Sequence, residues 1–286
     1  MVRVFHSHFF DESYMERVAV IISTYEADSI ENLRLSLTSL LRQTHRAFDI
    51  FLYCDGQLNP EMDSFVTNLS ELQFNLVLIK GDSNKGLANA LNCLIDAVLT
   101  DKKYEFIARM DSDDIAYASR LQAQVDFLNN NRDVDVCGTS CREFGASFAK
   151  EEKHLPVQHE KLLDFSIYRC PFIHPSVMFR RRVFEWGHRY PENTRLTEDM
   201  ALWFELLESK CRFANLNEIL LDYRVGDEML KRRKGLGKAL SEVRIRYNYM
   251  IRLRRVSAKN IIMITARLAF HLLPTSVIRI LYHRGR

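Results

Sequence analysis

Short apolar, β-branched runs that alternate with stretches of helical periodicity constrain this chain more than any other feature. "VAVIIS" (18–23), "FDIFLYCDG" (48–56), "LVLIK" (76–80), "EFIARM" (105–110) and "VDVCG" (134–138) read as buried strands. Leu33, Leu37, Leu40 and Leu41 recur at helical spacing after the first. Asp28 and Glu31, three apart, fit a capping box at the start of that helix. In "GLANALNCLIDAVL" (86–99), Leu87, Leu91, Leu94, Ile95 and Val98 share one helical face, and "SRLQAQVDFLNNN" reads as a further helix. This alternation predicts an α/β fold: a mostly parallel sheet with helices on both faces. Ligands of such sheets lie beyond the carboxyl ends of the strands. Ser23 to Tyr25, Asp55, and Asp111 to Asp114 all follow strand ends and are expected to gather on one edge.

The second half is less regular. "HPSVMFRR" (174–181) contains a short strand, "TEDMALWFELLES" (197–209) a helix, and "NEILLDYRV" (217–225) another strand. Basic helical stretches follow.

"ARMDSDDIAYASR" (108–120) puts Asp111, Asp113 and Asp114 directly after a core strand. Like charges so close raise one another's pKa and need a positive partner. Carboxylates at i and i+2 off a strand end can share a hard divalent cation, with positions left for phosphate oxygens and water. The plain structural alternative is that Asp113 or Asp114 caps the helix starting near Ala118. One aspartate would suffice for that.

"NKGLANALN" (84–92) sets Asn84, Lys85 and Gly86 before a helix whose N-terminus favours an anion, though a turn and cap would read the same. There is no GxGxxG and no P-loop, so dinucleotide and ATP cradles lose support. Glu198 and Asp199 open a helix, where acids are common; a general base is the functional alternative. His174 stands among apolar residues before a proline, the setting of a structural histidine.

Charge is unevenly distributed. Residues 226–286 carry 15 Lys/Arg against 3 Asp/Glu, and the rest 25 against 34. A basic, amphipathic end suits an anionic membrane surface, although an ordinary helical subdomain packed on the core would look similar. The basic residues alternate with aliphatic ones rather than stacking aromatics, which argues against nucleic acid. No segment reaches the roughly 20 apolar residues of a membrane span, and the first twenty residues lack a signal peptide's apolar core. Six cysteines with no CxxC pair fit reduced thiols.

In order and spacing, "VAVIISTYE", "LLRQT", "CDG", "NKGLANALN", "IARMDSDDIAYASRLQAQ", "HPSVMFRR" and "TEDMALW" resemble inverting glycosyltransferases of family 2, with the GT-A fold, from about Val18 to Tyr223. The resemblance implies that Thr24, Tyr25 and Asp55 hold uracil and ribose, with Lys85 and Arg109 near the nucleotide. It implies that Asp111-Ser112-Asp113 is the D-x-D motif, with Asp113 on a divalent cation (Mn2+ or Mg2+) and Asp111 at the ribose or behind the metal ligand. Asp199 matches the catalytic base, although Met200 stands where many relatives have an aromatic. Glu198, His174, Arg224, Arg232 and Arg233 are further candidates, the arginines as part of a segment (223–235) closing over the diphosphate.

The implied organisation is a catalytic domain over 1–225, with its nucleotide-sugar half at about 18–115 and its acceptor half at 116–225. A basic helical extension covers 226–286. The chain is also similar to bacterial enzymes of surface-polysaccharide (O-antigen) assembly. That implies transfer of glucose or galactose from a UDP-sugar to an undecaprenyl diphosphate-linked sugar at the cytoplasmic face of the inner membrane. Two rivals remain: a nucleotidyltransferase, which would want glycine after the first strand, and a non-catalytic nucleotide-sugar-binding scaffold on the membrane, which could dispense with the acids.

Overall fold

The structure, a computed structural model, describes residues 16–71, 75–194, 197–226 and 236–272. Its strands are β1 (Arg17–Thr24), β2 (Phe48–Cys54), β3 (Leu76–Lys80), β4 (Tyr104–Arg109), β5 (Ile115–Ala116), β6 (Val136–Phe144), β7 (Met178–Arg180) and β8 (Phe213–Arg224). Among the described residues they form one sheet in the order β3-β2-β1-β4-β7-β6-β8-β5. β1 to β4 are mutually parallel, as are β6 and β8; β7 opposes β4 and β6, and β5 opposes β8. The expected parallel sheet is therefore correct for all but the two shortest strands. β5 follows β4 through a turn far shorter than the dozen or so residues a parallel crossover needs. β7 starts at the carboxyl edge because it runs backwards. The turn before it, His174–Ser176, is thereby delivered to the edge where β1, β2 and β4 end.

The helices are α1 (Ile30–Leu41), α2 (Pro60–Glu71), α3 (Leu87–Leu99), α4 (Arg120–Asn130), α5 (His159–Ser166), α6 (Arg181–Glu185), α7 (Glu198–Glu208), α8 (Leu236–Arg252) and α9 (Ala258–Leu272). Successive side chains of β1 point to opposite faces, so its apolar run feeds two cores. Val18, Val20 and Ile22 pack with Leu33 and Leu37 of α1, Met62 and Val66 of α2, and Leu121 and Val125 of α4. Ala19 and Ile21 pack with Leu91, Leu94, Ile95 and Val98 of α3 and with Leu202, Trp203 and Leu206 of α7.

The periodicity did not reveal α2 and α5. Their apolar stripes are thin: α5 buries only Leu162 and Ser166, and α2 rests mainly on Met62 and Val66. β8 begins four residues before the expected 217, because polar Asn215 interrupts the apolar pattern. Its buried side-chain nitrogen donates to the carbonyls of Pro156 (2.9 Å) and Pro171 (3.0 Å), which holds the residue within the strand.

The basic end folds back on the body that carries the sheet. Met250 of α8 and Ile264 of α9 share a small core with Met200 and Phe204 of α7, and the Tyr249 ring stacks on Phe204 at 4.7 Å. Among the described residues no helix is long and apolar enough to cross a membrane. All six cysteines are free thiols.

Trp203 fastens α7 to the sheet. It is buried and lies against Phe172, Phe179 and Phe213. Trp203→Ala should cost about 3–5 kcal/mol in chemical denaturation, and Trp203→Phe markedly less.

Candidate active site

Four segments meet here, three of them strand ends and the fourth the start of α7. The first two are laced by Asp55, which is buried. Its backbone N–H donates to the Thr24 carbonyl (2.8 Å), and its carboxylate accepts from the backbone N–H groups of Lys85 and Gly86, each at 2.9 Å. Gly56 permits the close approach: its φ is +87°, and a Cβ there would stand 2.5 Å from the Asn84 nitrogen. Tyr25, Asp55, Gln57, Asp82 and Asn84 line a cleft of about 480 Å³. Thr24 is buried beside it, and the Lys85 side chain lies exposed at its rim.

The third segment is the aspartate turn. Asp111 is ion-paired with Arg109, a buried guanidinium at the end of β4. Asp114 is fully buried; one carboxylate oxygen accepts the Arg224 backbone N–H at 2.7 Å, and the other has no partner. Behind the turn, the buried Arg120 donates to the Arg109 carbonyl (2.7 Å). Neither aspartate caps α4: its N-cap is Ser119, and no side chain bonds there.

Asp28 joins this cluster, contrary to the capping reading. Ser29 caps α1, accepting from the Asn32 N–H at 3.4 Å. Asp28 instead accepts from the Ser112 hydroxyl at 2.8 Å and from the Tyr25 N–H at 3.3 Å. Burial pushes Asp28 above the usual carboxylate range. Burial, with Asp111 and Asp28 alongside, pushes Asp113 up to about 6. The carboxylates of Asp111, Asp113 and Asp114 offer oxygens within 4.8 Å of one another. Hard oxygen donors, an orphaned buried acceptor and a raised Asp113 all suit a divalent cation.

The fourth segment carries Glu198 and Asp199 in the first turn of α7. The Cys170 thiol donates to Asp199 Oδ2 at 3.5 Å. Tyr190 is buried within electrostatic reach of both Asp199 and Asp111, and its Oη meets His174 Nε2 at 2.9 Å. Burial, reinforced by nearby Arg109, drives His174 well below its ordinary pKa, so the ring is neutral and structural. The Asn92 side chain of α3 brackets the Tyr190 backbone, donating to its carbonyl (2.9 Å) and accepting its N–H (2.8 Å). Asn92 and Asn89 also hold Glu192, at 2.9 and 3.3 Å.

Sequence reasoning missed Asp28, Arg120, Tyr190, Cys170 and the Asn92 bracket. Asp28, Tyr190, Cys170 and Asn92 act through contacts with residues distant in the chain, which leave no local signature. Arg224 departs from its expected role in a closing segment: its Nε donates to the Asp113 carbonyl (2.9 Å) and its guanidinium lies 4.4 Å above the Phe144 ring. It is a clamp on the aspartate turn. Arg232 and Arg233 lie outside the described residues.

The profile of Glycosyl transferase family 2 matches residues 19–187, and the chain belongs to that family. It is 30% identical over 267 residues to the UDP-Gal:alpha-D-GlcNAc-diphosphoundecaprenol beta-1,3-galactosyltransferase of Escherichia coli, covering 91% of this chain and 93% of the relative. It is 29% identical over 269 residues to the amylovoran biosynthesis glycosyltransferase AmsE of Erwinia amylovora, covering 94% and 98%. Staphylococcus aureus TarS 1–349 in complex with UDP-GlcNAc superposes with a TM-score of 0.63 at 17% identity, over 90% of this chain and 71% of TarS. The mannosyltransferase PcManGT of Pyrobaculum calidifontis, in complex with GDP-Man and Mn2+, gives 0.62 at 17% identity, over 96% and 78%. These structures share the GT-A fold with this chain.

Two predictions follow from the geometry. Asp55→Ala frees two backbone donors and should cost about 1–3 kcal/mol, read by denaturation, and should weaken nucleotide binding in calorimetry. For Asp113, the folded pKa of about 6 exceeds the ordinary 3.8. The folded state therefore holds the extra proton between those values, and metal-free stability should fall as pH rises through that window. Added Mn2+ at neutral pH should raise the melting temperature of the wild type, and not that of Asp113→Asn.

Proposed function

We propose that this glycosyltransferase is an inverting hexosyltransferase. It moves glucose or galactose from a UDP-sugar to a lipid-linked, diphosphate-bearing sugar acceptor in bacterial surface-polysaccharide synthesis. The observation that carries this reading is the pair of acidic groups, Asp111 to Asp114 and Asp199, with the buried Tyr190 in electrostatic reach of both Asp111 and Asp199. Inversion by single displacement needs that division. A base must work on one face of the anomeric carbon while charge on the departing diphosphate is met on the other.

In this reading the 480 Å³ cleft takes the nucleoside, with Tyr25 against uracil and Asp55 fixing the loop beneath it. Thr24, Lys85, Arg109 and Asp111 complete the nucleotide side. Asp113, the more accessible of the two unpaired aspartates, would hold Mn2+ or Mg2+ with help from Asp114. When bound, the cation supplies neutralisation of the diphosphate. Asp199 takes the acceptor hydroxyl's proton as that oxygen bonds the anomeric carbon and the bond to UDP breaks. UDP leaves with the electron pair, and an α-linked donor gives a β-product. Two properties support this substrate pair: the UDP-Gal donor and undecaprenol-linked acceptor of the Escherichia coli relative, and the UDP-GlcNAc held by TarS.

A lipid-linked acceptor requires work at a membrane, and the reading puts the protein peripherally at the cytoplasmic face of the inner membrane. The outer side of α8 and α9 supports this. Leu240, Ile251, Val256, Ile261 and Ile262 are exposed there, Ile262 by 65%, with the exposed Arg244 and Arg254 on the same helix pair. Apolar side chains set among cations suit an anionic bilayer.

Calorimetric titration with UDP, GDP and CMP, with and without Mn2+, tests the donor side. Metal-dependent UDP binding, lost in Asp113→Asn, is expected; absence of all nucleotide binding would move the scaffold reading ahead. With UDP-galactose and a synthetic GlcNAc-diphospholipid, Asp199→Asn should lower kcat on the order of 10²–10⁴-fold while UDP affinity is retained. Co-sedimentation with anionic liposomes at low salt should capture the protein, and Ile251→Ser/Ile262→Ser should weaken it.

A further inference from the structure

The C-terminal helices do more than lean on the catalytic body. They grip the candidate base from two directions.

The first grip is polar. Arg246 of α8 is buried, 1% exposed, and its Nη1 donates to the carbonyls of Ser166 (2.9 Å) and Ile167 (3.1 Å) at the end of α5. Arg267 of α9 donates to the next carbonyl, Tyr168, at 3.1 Å. Both arginines converge on Glu242, at 2.9 and 2.6 Å. Carbonyls at a helix C-terminus lack intrahelical partners, so two guanidinium groups fix where the chain leaves α5. Two residues beyond Tyr168, Cys170 presents its thiol to Asp199 Oδ2. Burial, with Asp199 beside it, drives the Cys170 pKa far up, so the sulfur keeps its proton and stays a donor.

The second grip is apolar. Met200, next to Asp199, and Phe204, one turn further along α7, pack on Met250 and Ile264, with the Tyr249 ring stacked over Phe204. Side chain and backbone of the base are thus referenced to the same helix pair.

We propose that Cys170 and Arg246 are positioning residues for Asp199. The thiol engages one carboxylate oxygen and leaves the other for the acceptor hydroxyl, and Arg246 holds the segment that carries the thiol. This rests on the reading of Asp199 as the base. It assigns the C-terminal helices a part in catalysis that a separate anchor would not have. Neither residue touches the nucleotide cleft, so loss of either acts on turnover and not on donor binding.

The test measures UDP release with UDP-galactose and the GlcNAc-diphospholipid probe, alongside calorimetric UDP affinity. The full-length variants are Cys170→Ala, Cys170→Ser, Arg246→Met, the Cys170→Ala/Arg246→Met double, and Asp199→Asn. Cys170→Ala should lower kcat about tenfold, and Arg246→Met up to about a hundredfold, the scale of a misplaced catalytic group. Donor KM and UDP affinity should stay within about twofold. Cys170→Ser, which keeps a donor, should recover most of the rate. The double should be no worse than Arg246→Met, because both changes act on one carboxylate.

A full-speed Cys170→Ala beside a crippled Asp199→Asn overturns the positioning role alone. So does equal loss of kcat and UDP affinity, or strict additivity in the double. Wild-type kcat in Asp199→Asn overturns the base reading, and the positioning role with it. If Arg246→Met fails to fold, the Cys170 pair still decides the matter.

Discussion

The rest of the site depends on how the acid cluster at the end of β4 is compensated. Asp111, Asp113 and Asp114 fall within four positions, and Asp28 adds a fourth carboxylate from the start of α1. Arg109 pairs with Asp111, Arg120 braces the strand end from behind, and Arg224 gives its N–H to Asp114 and its Nε to the Asp113 carbonyl. These contacts tie β4, α4 and the end of β8 into one unit. The compensation is incomplete, as the raised pKa of Asp113 and the unpartnered oxygen of Asp114 record. A site left short of positive charge, but built to stay folded, has the hard oxygen donors that suit a divalent cation.

The same edge is organised by small polar brackets rather than by large surfaces. Asp55 fastens the 84–86 loop, and Asn92 fastens the Tyr190 segment. Gly86 and Asn92 bound the first half of α3, so one helix references both the Asp55 loop and the Tyr190 segment. α3 is itself fixed by Leu91, Leu94, Ile95 and Val98 against β1 and β2. Core packing therefore sets the separation between the two acidic groups, which a displacement mechanism needs to hold constant.

The basic end has two characters. Its inner side is a structural partner of α7, with buried Arg246, Met250 and Ile264. Its outer side keeps isoleucines and cations exposed. The sequence offered a membrane anchor and a packed subdomain as alternatives. An amphipathic helix pair with one face docked and the other exposed accommodates both.

The sequence by itself determined the strand–helix alternation, every strand but the two-residue β5, the gathering of Thr24, Asp55 and the 111–114 aspartates at one strand edge, and the chemical type of both acidic groups. It could do so because apolar periodicity and carboxylate spacing are local properties, carried by neighbouring residues. The family likeness rested on those same local motifs. Only the tertiary structure decided that β5 and β7 run backwards, that Asp28 faces Ser112 rather than a helix end, and that Arg224 clamps a turn. It alone brought Cys170 to Asp199 and the end of α5 under Arg246. Each of those facts is a contact between residues far apart in the chain. Such contacts are selected by packing and by the need to satisfy buried polar groups, and neither leaves a periodic trace in the sequence.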